Sequence, residues 1–190
     1  MKEVVENMIK GRVKVVPRYK DTNEEIPLDT YLSMVGITRE EAGFDEEGYV
    51  DNMVVKSIHQ VMAYLFVNSS LSNNKIYLGV GSGVTPVTRE DLSLVTELQR
   101  VEAKRSYDLT YALAVLDPND ATRSNCVRLV GTIDTGNFDI NEIGLFWGDT
   151  ATTTTNSGKL MSRVVASRPI PKLDNIQLDF IWIYIFRFLN

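Results

Sequence analysis

The chain's hydrophobic pattern is clearest at its far end. Residues 176–189 read IQLDFIWIYIFRFL. Every even position is apolar: Ile176, Leu178, Phe180, Trp182, Tyr184, Phe186 and Phe188. Side chains alternate across a strand with period two, so this stretch predicts a strand with one wholly apolar face. Its other face is apolar only in the middle, at Ile181, Ile183 and Ile185. Such a ribbon has to be inserted into a sheet or pressed against another subunit, because an exposed apolar edge aggregates.

Further strands are expected over 13–16, 75–80, 104–116, 124–134, 140–147 and 160–166. They are separated by Asp117-Pro118-Asn119-Asp120, Thr135-Gly136-Asn137, Gly148-Asp149, the Thr152–Thr155 tract running to Gly158, and Arg168-Pro169 through Lys172. Strands joined by short turns cannot be parallel neighbours, which need long crossovers. The fold class expected is mainly β: an antiparallel sandwich or partly closed barrel. One packed helix is expected over 52–67, where Val54, Ile58, Val61, Met62 and Leu65 form a stripe at helical spacing. Residues 89–99 read equally as a short helix or an extended lead-in. Residues 1–50 are expected as an irregular arm or adaptor beside a domain at 51–190. Within that arm, Pro27 with Asp29 opens a helical turn through Tyr31–Val35, and Thr38 with Glu41 has the spacing of a capping box.

Composition narrows the chemistry. With one cysteine, Cys126, and one histidine, His59, no internal disulfide and no multi-imidazole metal site can form. The longest apolar run is far below the roughly 20 residues that span a bilayer, and no secretory signal is read at the start. The expectation is a soluble protein made in a reducing cytoplasm. The net charge of −5 is segmented: residues 1–20 carry +4, residues 21–51 carry −9, and the rest is neutral. No consolidated positive face suits nucleic acid. The two strips suit charge-steered docking onto a protein, and the plainer alternative is solvated surface.

Candidate chemistry is thin. Gly79-Val80-Gly81-Ser82-Gly83 lacks the Lys-Ser/Thr of a phosphate loop, so its glycines are expected to give positive φ and a tight strand exit. No acid pair, nucleophile elbow or calcium loop stands out. The expectation is no enzyme, no catalytic residue, no metal and no cofactor. Arg100, Lys104 and Arg105 near Tyr107 and Tyr111 read as a charged sheet edge, or less readily as a stacking platform.

The order of segments carries a resemblance. Ile76-Tyr77-Leu78 runs into Gly79–Gly83 and Thr85-Pro86; then come Leu94-Val95-Thr96-Glu97-Leu98-Gln99-Arg100, Ile140-Asn141-Glu142-Ile143-Gly144-Leu145-Phe146, Gly158-Lys159-Leu160-Met161-Ser162-Arg163-Val164 and the closing apolar strand. This order resembles a family of tailed-phage virion proteins of tail fibre, baseplate and related positions, over residues 52–190. The resemblance implies a structural component of a virion, assembled in the host cytoplasm. It implies other virion structural proteins as partners, a homo-oligomer (trimer or ring), and no membrane or specific nucleic acid. The alternative is a host-receptor or glycan-binding module presenting Tyr107, Tyr111, Trp147 and Thr152–Asn156. Interface residues expected are Arg100, Glu142, Phe146, Arg163, Trp182, Tyr184 and Phe186. In that reading Ile143 and Leu145 face the core, Glu142 and Phe146 face the other way, and Gly144 leaves space for a neighbour. A partner subunit then supplies the counter-charge for Glu142 through Arg100 or Arg163.

Overall fold

A computed structural model describes residues 9–56, 58, 75–106, 124–148 and 151–187. Among these described residues there are eight strands: β1 (Ile9–Tyr19), β2 (Tyr49–Val54), β3 (Ile76–Gly81), β4 (Glu97–Ser106), β5 (Ser124–Ile133), β6 (Phe138–Trp147), β7 (Lys159–Lys172) and β8 (Ile176–Arg187). All pairings are antiparallel, and the order β1-β2-β7-β6-β3-β4-β5-β8 closes on itself through a β1–β8 seam. The protein is therefore a closed barrel, the second of the two architectures the strand pattern allows.

The terminal ribbon is inserted between β1 and β5 of its own chain. Ile176, Leu178, Phe180, Trp182 and Tyr184 line the interior and are at most 4 % exposed. Ile183 on the opposite face is buried as well, flanked in register by Arg12 of β1 and Arg128 of β5. A shelter made of several subunits is thus replaced, for this strand, by closure within one chain. The phenyl side chain of Phe186 lies outside the described residues, as do Tyr107, Tyr111, His59 and Asp117–Asp120.

The described part of the segment expected as an arm, residues 9–50, contributes β1 and the first two residues of β2 to the barrel wall. Between them lie two short helices, α1 (Leu28–Met34) and α2 (Arg39–Ala42). α2 begins with the anticipated capping box: Thr38 Oγ1 accepts from the Glu41 amide, and the Glu41 carboxylate accepts from the Thr38 amide. Gly43 ends it at φ +85°, a backbone shape that favours glycine. Ile26, Tyr31, Leu32, Ala42 and Phe44 join the same apolar cluster as the barrel interior, so this segment plugs one end. Tyr31 donates its hydroxyl to the carbonyl of Pro171. Burial and then the charge of Asp139 push that phenol's pKa up. Lys172, fully buried, closes the same end by donating to the carbonyls of Leu173 (2.7 Å) and Gly136 (3.3 Å).

Several boundaries differ from the sequence pattern. Asn52–Val54 belong to β2, so the helix expected over 52–67 does not begin there; residues 57 and 59–74 lie outside the described residues. The apolar stripe was ambiguous because Val50, Asn52 and Val54 also alternate as a strand. β7 runs on through Arg168-Pro169-Ile170-Pro171-Lys172, expected as a turn, since β6 pairs with it up to Phe138↔Lys172. Residues 89–96 are irregular and not helical, and β4 starts at Glu97.

The two charged strips meet on the barrel surface. Arg12 pairs with Asp45, Glu47 and Asp51; Arg18 with Glu25 and Asp179; Arg39 with Asp29; and Arg168 with Glu41. Arg12 and Arg18 are thus neutralised by carboxylates of the same chain, and exposed pairs of this kind contribute little to stability.

Phe180→Ala should lower stability by about 3–5 kcal/mol, because it empties a fully enclosed site in the strand that closes the barrel. Asp51→Asn, at a side chain 87 % exposed, should change it by less than about 0.5 kcal/mol. Urea denaturation of the two variants checks both.

Candidate functional site

Polar groups are buried on the outer face of the β4-β3-β6-β7 wall, where two loops fold back over the strands. On β6 the alternation falls as expected: Ile143 and Leu145 enter the interior cluster, while Glu142 and Phe146 point outward. Outward here does not mean solvated, since Glu142 and Phe146 are both 0 % exposed. Val55, Tyr77, Leu94, Phe146, Ala151 and Leu160 form a second apolar cluster on this face.

The loop 82–96 is anchored by one carboxylate. Glu142 Oε1 accepts from the backbone amides of Thr96 (2.7 Å) and Gly83 (3.1 Å), and Oε2 from that of Val95 (3.0 Å). Arg163 on β7 donates Nε and Nη2 to Oε2 at 2.9 and 2.8 Å. Its remaining donors reach Asp91 Oδ2 (2.8 Å) and the carbonyl of Thr85 (3.1 Å), both in the loop. One ion pair thus holds both ends and the middle of the loop. Leu94 is its apolar anchor, 1 % exposed and set over Gly144. A Cβ at Gly144 would meet Leu94 at 2.9 Å and Leu160 at 2.8 Å, so the space foreseen at Gly144 is used.

Gly81 and Gly83 make room for this carboxylate, and Gly79 makes room for that of Glu97. None of the three has positive φ, which corrects the expectation of a strained strand exit. They are small because of what lies above them. A Cβ at Gly81 would fall 2.3 Å from the Thr96 carbonyl oxygen and 2.8 Å from Glu142 Oε1, and one at Gly83 would fall 2.4 Å from Oε1.

A second buried pair holds the loop 151–158. Arg100 donates Nε and Nη2 to the two oxygens of Glu97 at 2.6 and 2.8 Å, in the two-pronged geometry that suits guanidinium and carboxylate. Nη1 reaches the Ser157 carbonyl at 2.6 Å, and Glu97 Oε2 accepts from the Asn156 amide at 2.6 Å. The guanidinium also lies 3.8 Å from the centre of the Phe146 ring. Residues three apart on a strand should face opposite ways. Here the β3–β4 register skips Leu98, and that bulge turns Glu97 onto the face of Arg100.

All six expected interface residues with described side chains are buried by the chain itself: Arg100, Glu142, Phe146, Arg163, Trp182 and Tyr184. The counter-charge of Glu142 comes from Arg163 of the same chain, not from a partner, and Arg100 is committed to Glu97. Sequence reasoning left Arg100 and Arg163 as alternative partners of Glu142 and placed the pairing across a subunit boundary; Arg163 makes it, within the chain. It missed Glu97, whose orientation depends on a one-residue bulge, and Asp91. The glycan reading loses its Trp147 platform, because that ring is 5 % exposed. The hydroxyls of Thr152 and Ser157 bond each other within their loop.

Other features offer less. A shallow cleft of about 400 Å³ between α1 and α2 is lined by Leu32, Ile37 and Arg39, but Arg39 is held by both oxygens of Asp29. Among the described residues no cluster of three or more His, Cys, Asp or Glu side chains could hold a metal, and no helix is long and apolar enough to cross a membrane. Comparison with protein-family models, with curated proteins and with solved structures finds no match.

Removing one partner of a buried ion pair strands the other charge, which costs about 3–5 kcal/mol. Glu142→Gln should therefore lower stability by that order, and amide hydrogen exchange at Gly83, Val95 and Thr96 should accelerate. An acid limb is also expected. Burial raises the pKa of Asp91, but bonds from Thr88 and Arg163 outweigh it and hold the carboxyl below its ordinary value. Its contribution is therefore complete above about pH 4 and lost as pH falls through the lower folded value. Acid titration of native chain and Asp91→Asn should converge below that window and diverge above it.

Proposed function

We propose that this chain is a structural component of a tailed virus particle, at a tail, baseplate, neck or fibre-attachment position. It acts by assembly with other virion proteins and with further copies of itself, and performs no catalytic step. The observation that carries this reading is the clamped loop. Loop 82–96 is fixed by Glu142 and Arg163, yet it exposes Val84 at 70 %, Leu92 at 77 % and Val95 at 54 %, with Leu98 at 43 % on the adjoining bulge. Ordering a loop is part of the cost of binding, so a surface ordered beforehand binds more tightly for the same area. Apolar side chains gathered on such a surface mark an interaction site more often than chance exposure does.

Closure of the barrel supports contact through side chains. Each described strand has a neighbour on both sides over at least part of its length, which limits docking by strand addition. Arg12, Lys14 and Arg18 on the outer face of β1 are unsuited to a lipid-facing band. A stable interface buries about 1,200–2,000 Å², and these apolar side chains would form its centre. The segment order from Gly79 to Arg163 that resembles tail and baseplate proteins supports the same reading. In that order the glycines, Leu94, Glu97, Arg100, Glu142 and Arg163 all belong to the two clamps.

Leu92→Asp combined with Val84→Asp should leave the thermal unfolding midpoint nearly unchanged, since both side chains are exposed. Incorporation into particles, followed by immunogold labelling of purified virions, should fall at least tenfold. Normal incorporation of the double variant, or absence of the chain from particles together with specific binding on a glycan array, would overturn the reading.

A further inference from the structure

Among the described residues, the positions facing the barrel interior are mostly apolar, and several polar side chains lie on β2, β7 and β8. Val50 and Val54 of β2 pack against the core, and Asn52 between them shares their face. Its Oδ1 and Nδ2 are both shut off from solvent, and neither has a hydrogen-bond partner. Trp182 on β8 is 0 % exposed and likewise leaves Nε1 without a partner. The hydroxyls of Tyr184 and Ser162 bond each other, so one of them keeps its own proton to give.

Pairing places these groups together. Asn52 lies opposite Gly11, and Gly11 lies opposite Tyr184. Tyr184 on β8 reaches Ser162 on β7, across the intervening β1 and β2, so it passes the level of Gly11 and Asn52. Trp182 is its neighbour on the same face, with ring centres 6.5 Å apart. Gly11 makes the room: a Cβ there would fall 1.8 Å from Asn52 Oδ1 and 2.5 Å from Nδ2.

An unmet buried polar group destabilises the fold, and a valine like those at 50 and 54 would carry no such penalty. The unspent inventory has donors at Nδ2, Nε1 and a hydroxyl, and an acceptor at Oδ1. Among the described residues the buried cations Arg100, Arg163 and Lys172 are all committed elsewhere, so none of them offers the site a charge to receive an anion. A carbonyl would accept but leave Oδ1 unmet. A hydroxyl both accepts and donates.

We propose that the barrel interior beside Tyr184 binds one or two hydroxyl groups, carried by water or by a short alcohol. Their oxygens accept from Trp182 Nε1 and Asn52 Nδ2, and a proton goes to Asn52 Oδ1. Internal waters in proteins satisfy buried groups in this way, with about three hydrogen bonds each.

The chain has two tryptophans, so a ¹⁵N spectrum shows two indole N–H signals, which Trp147→Phe assigns. In the native protein the Trp182 indole proton should give a cross-peak at the water frequency with the sign of a long-lived bound molecule. If an alcohol is the guest instead, titration with ethylene glycol should shift the Trp182 signal and leave Trp147 in place. Asn52→Leu should abolish either effect, and Gly11→Ala should weaken it at least tenfold by crowding the amide. Absence of both effects in the native protein, or their persistence unchanged in Asn52→Leu, overturns the proposal. Should Asn52→Leu fail to fold, a high-resolution crystal structure decides. Oxygen density at about 2.7–3.2 Å from both Nε1 and Oδ1 supports the site, and continuous side-chain packing with no such density removes it.

Discussion

One carboxylate organises the outer half of this molecule. Glu142 has no exposed surface and accepts three backbone amides from a loop, together with two bonds from Arg163. Bringing an ion pair into a dry site takes away its hydration, and only good geometry with every lone pair occupied repays that loss. The arrangement therefore constrains its neighbours. Gly81 and Gly83 must lack side chains, Leu94 must fill the space over Gly144, and Asp91 must stand at the far side of the guanidinium. A loop that would otherwise fray becomes part of the wall.

The Glu97–Arg100 pair repeats the device one strand away and adds the Phe146 ring beneath the guanidinium. Between the two pairs lies a small apolar cluster separate from the barrel core. The molecule thus has two interiors. The larger is lined by alternating positions of eight strands. The smaller is roofed by loops and depends on charge as much as on apolar area.

The sequence disclosed the larger interior better than the smaller. Period-two alternation identified β8, turn residues marked off β5 and β6, and the Thr38–Glu41 spacing identified the start of α2. Closure of the ring was not visible, because the β1–β8 seam joins residues far apart in the chain and no local pattern encodes it. The stripe beginning at Val54 and the Pro-containing end of β7 misled for a related reason. Local propensity is a weak guide where cross-strand pairing decides. Within the site, Glu142 was legible as a charge in the mostly apolar β6, and Arg100 and Arg163 as members of the segment order. Their partners were not, since a bulge at Leu98 and a folded-back loop set which face meets which.

The β1–β8 seam also bears on how the barrel comes into being. β8 is the last of the eight strands to be made, and it is the neighbour of both β1 and β5. Until it is in place two seams stand open, and the apolar inner faces of the other seven strands have no complete wall around them. Long-range pairing of this kind folds slowly and leaves sticky intermediates on the way. The β8 ribbon is thus the keystone: the other seven strands have to be made before the ring can close, and a nascent chain lacking it is the species that most needs a chaperone.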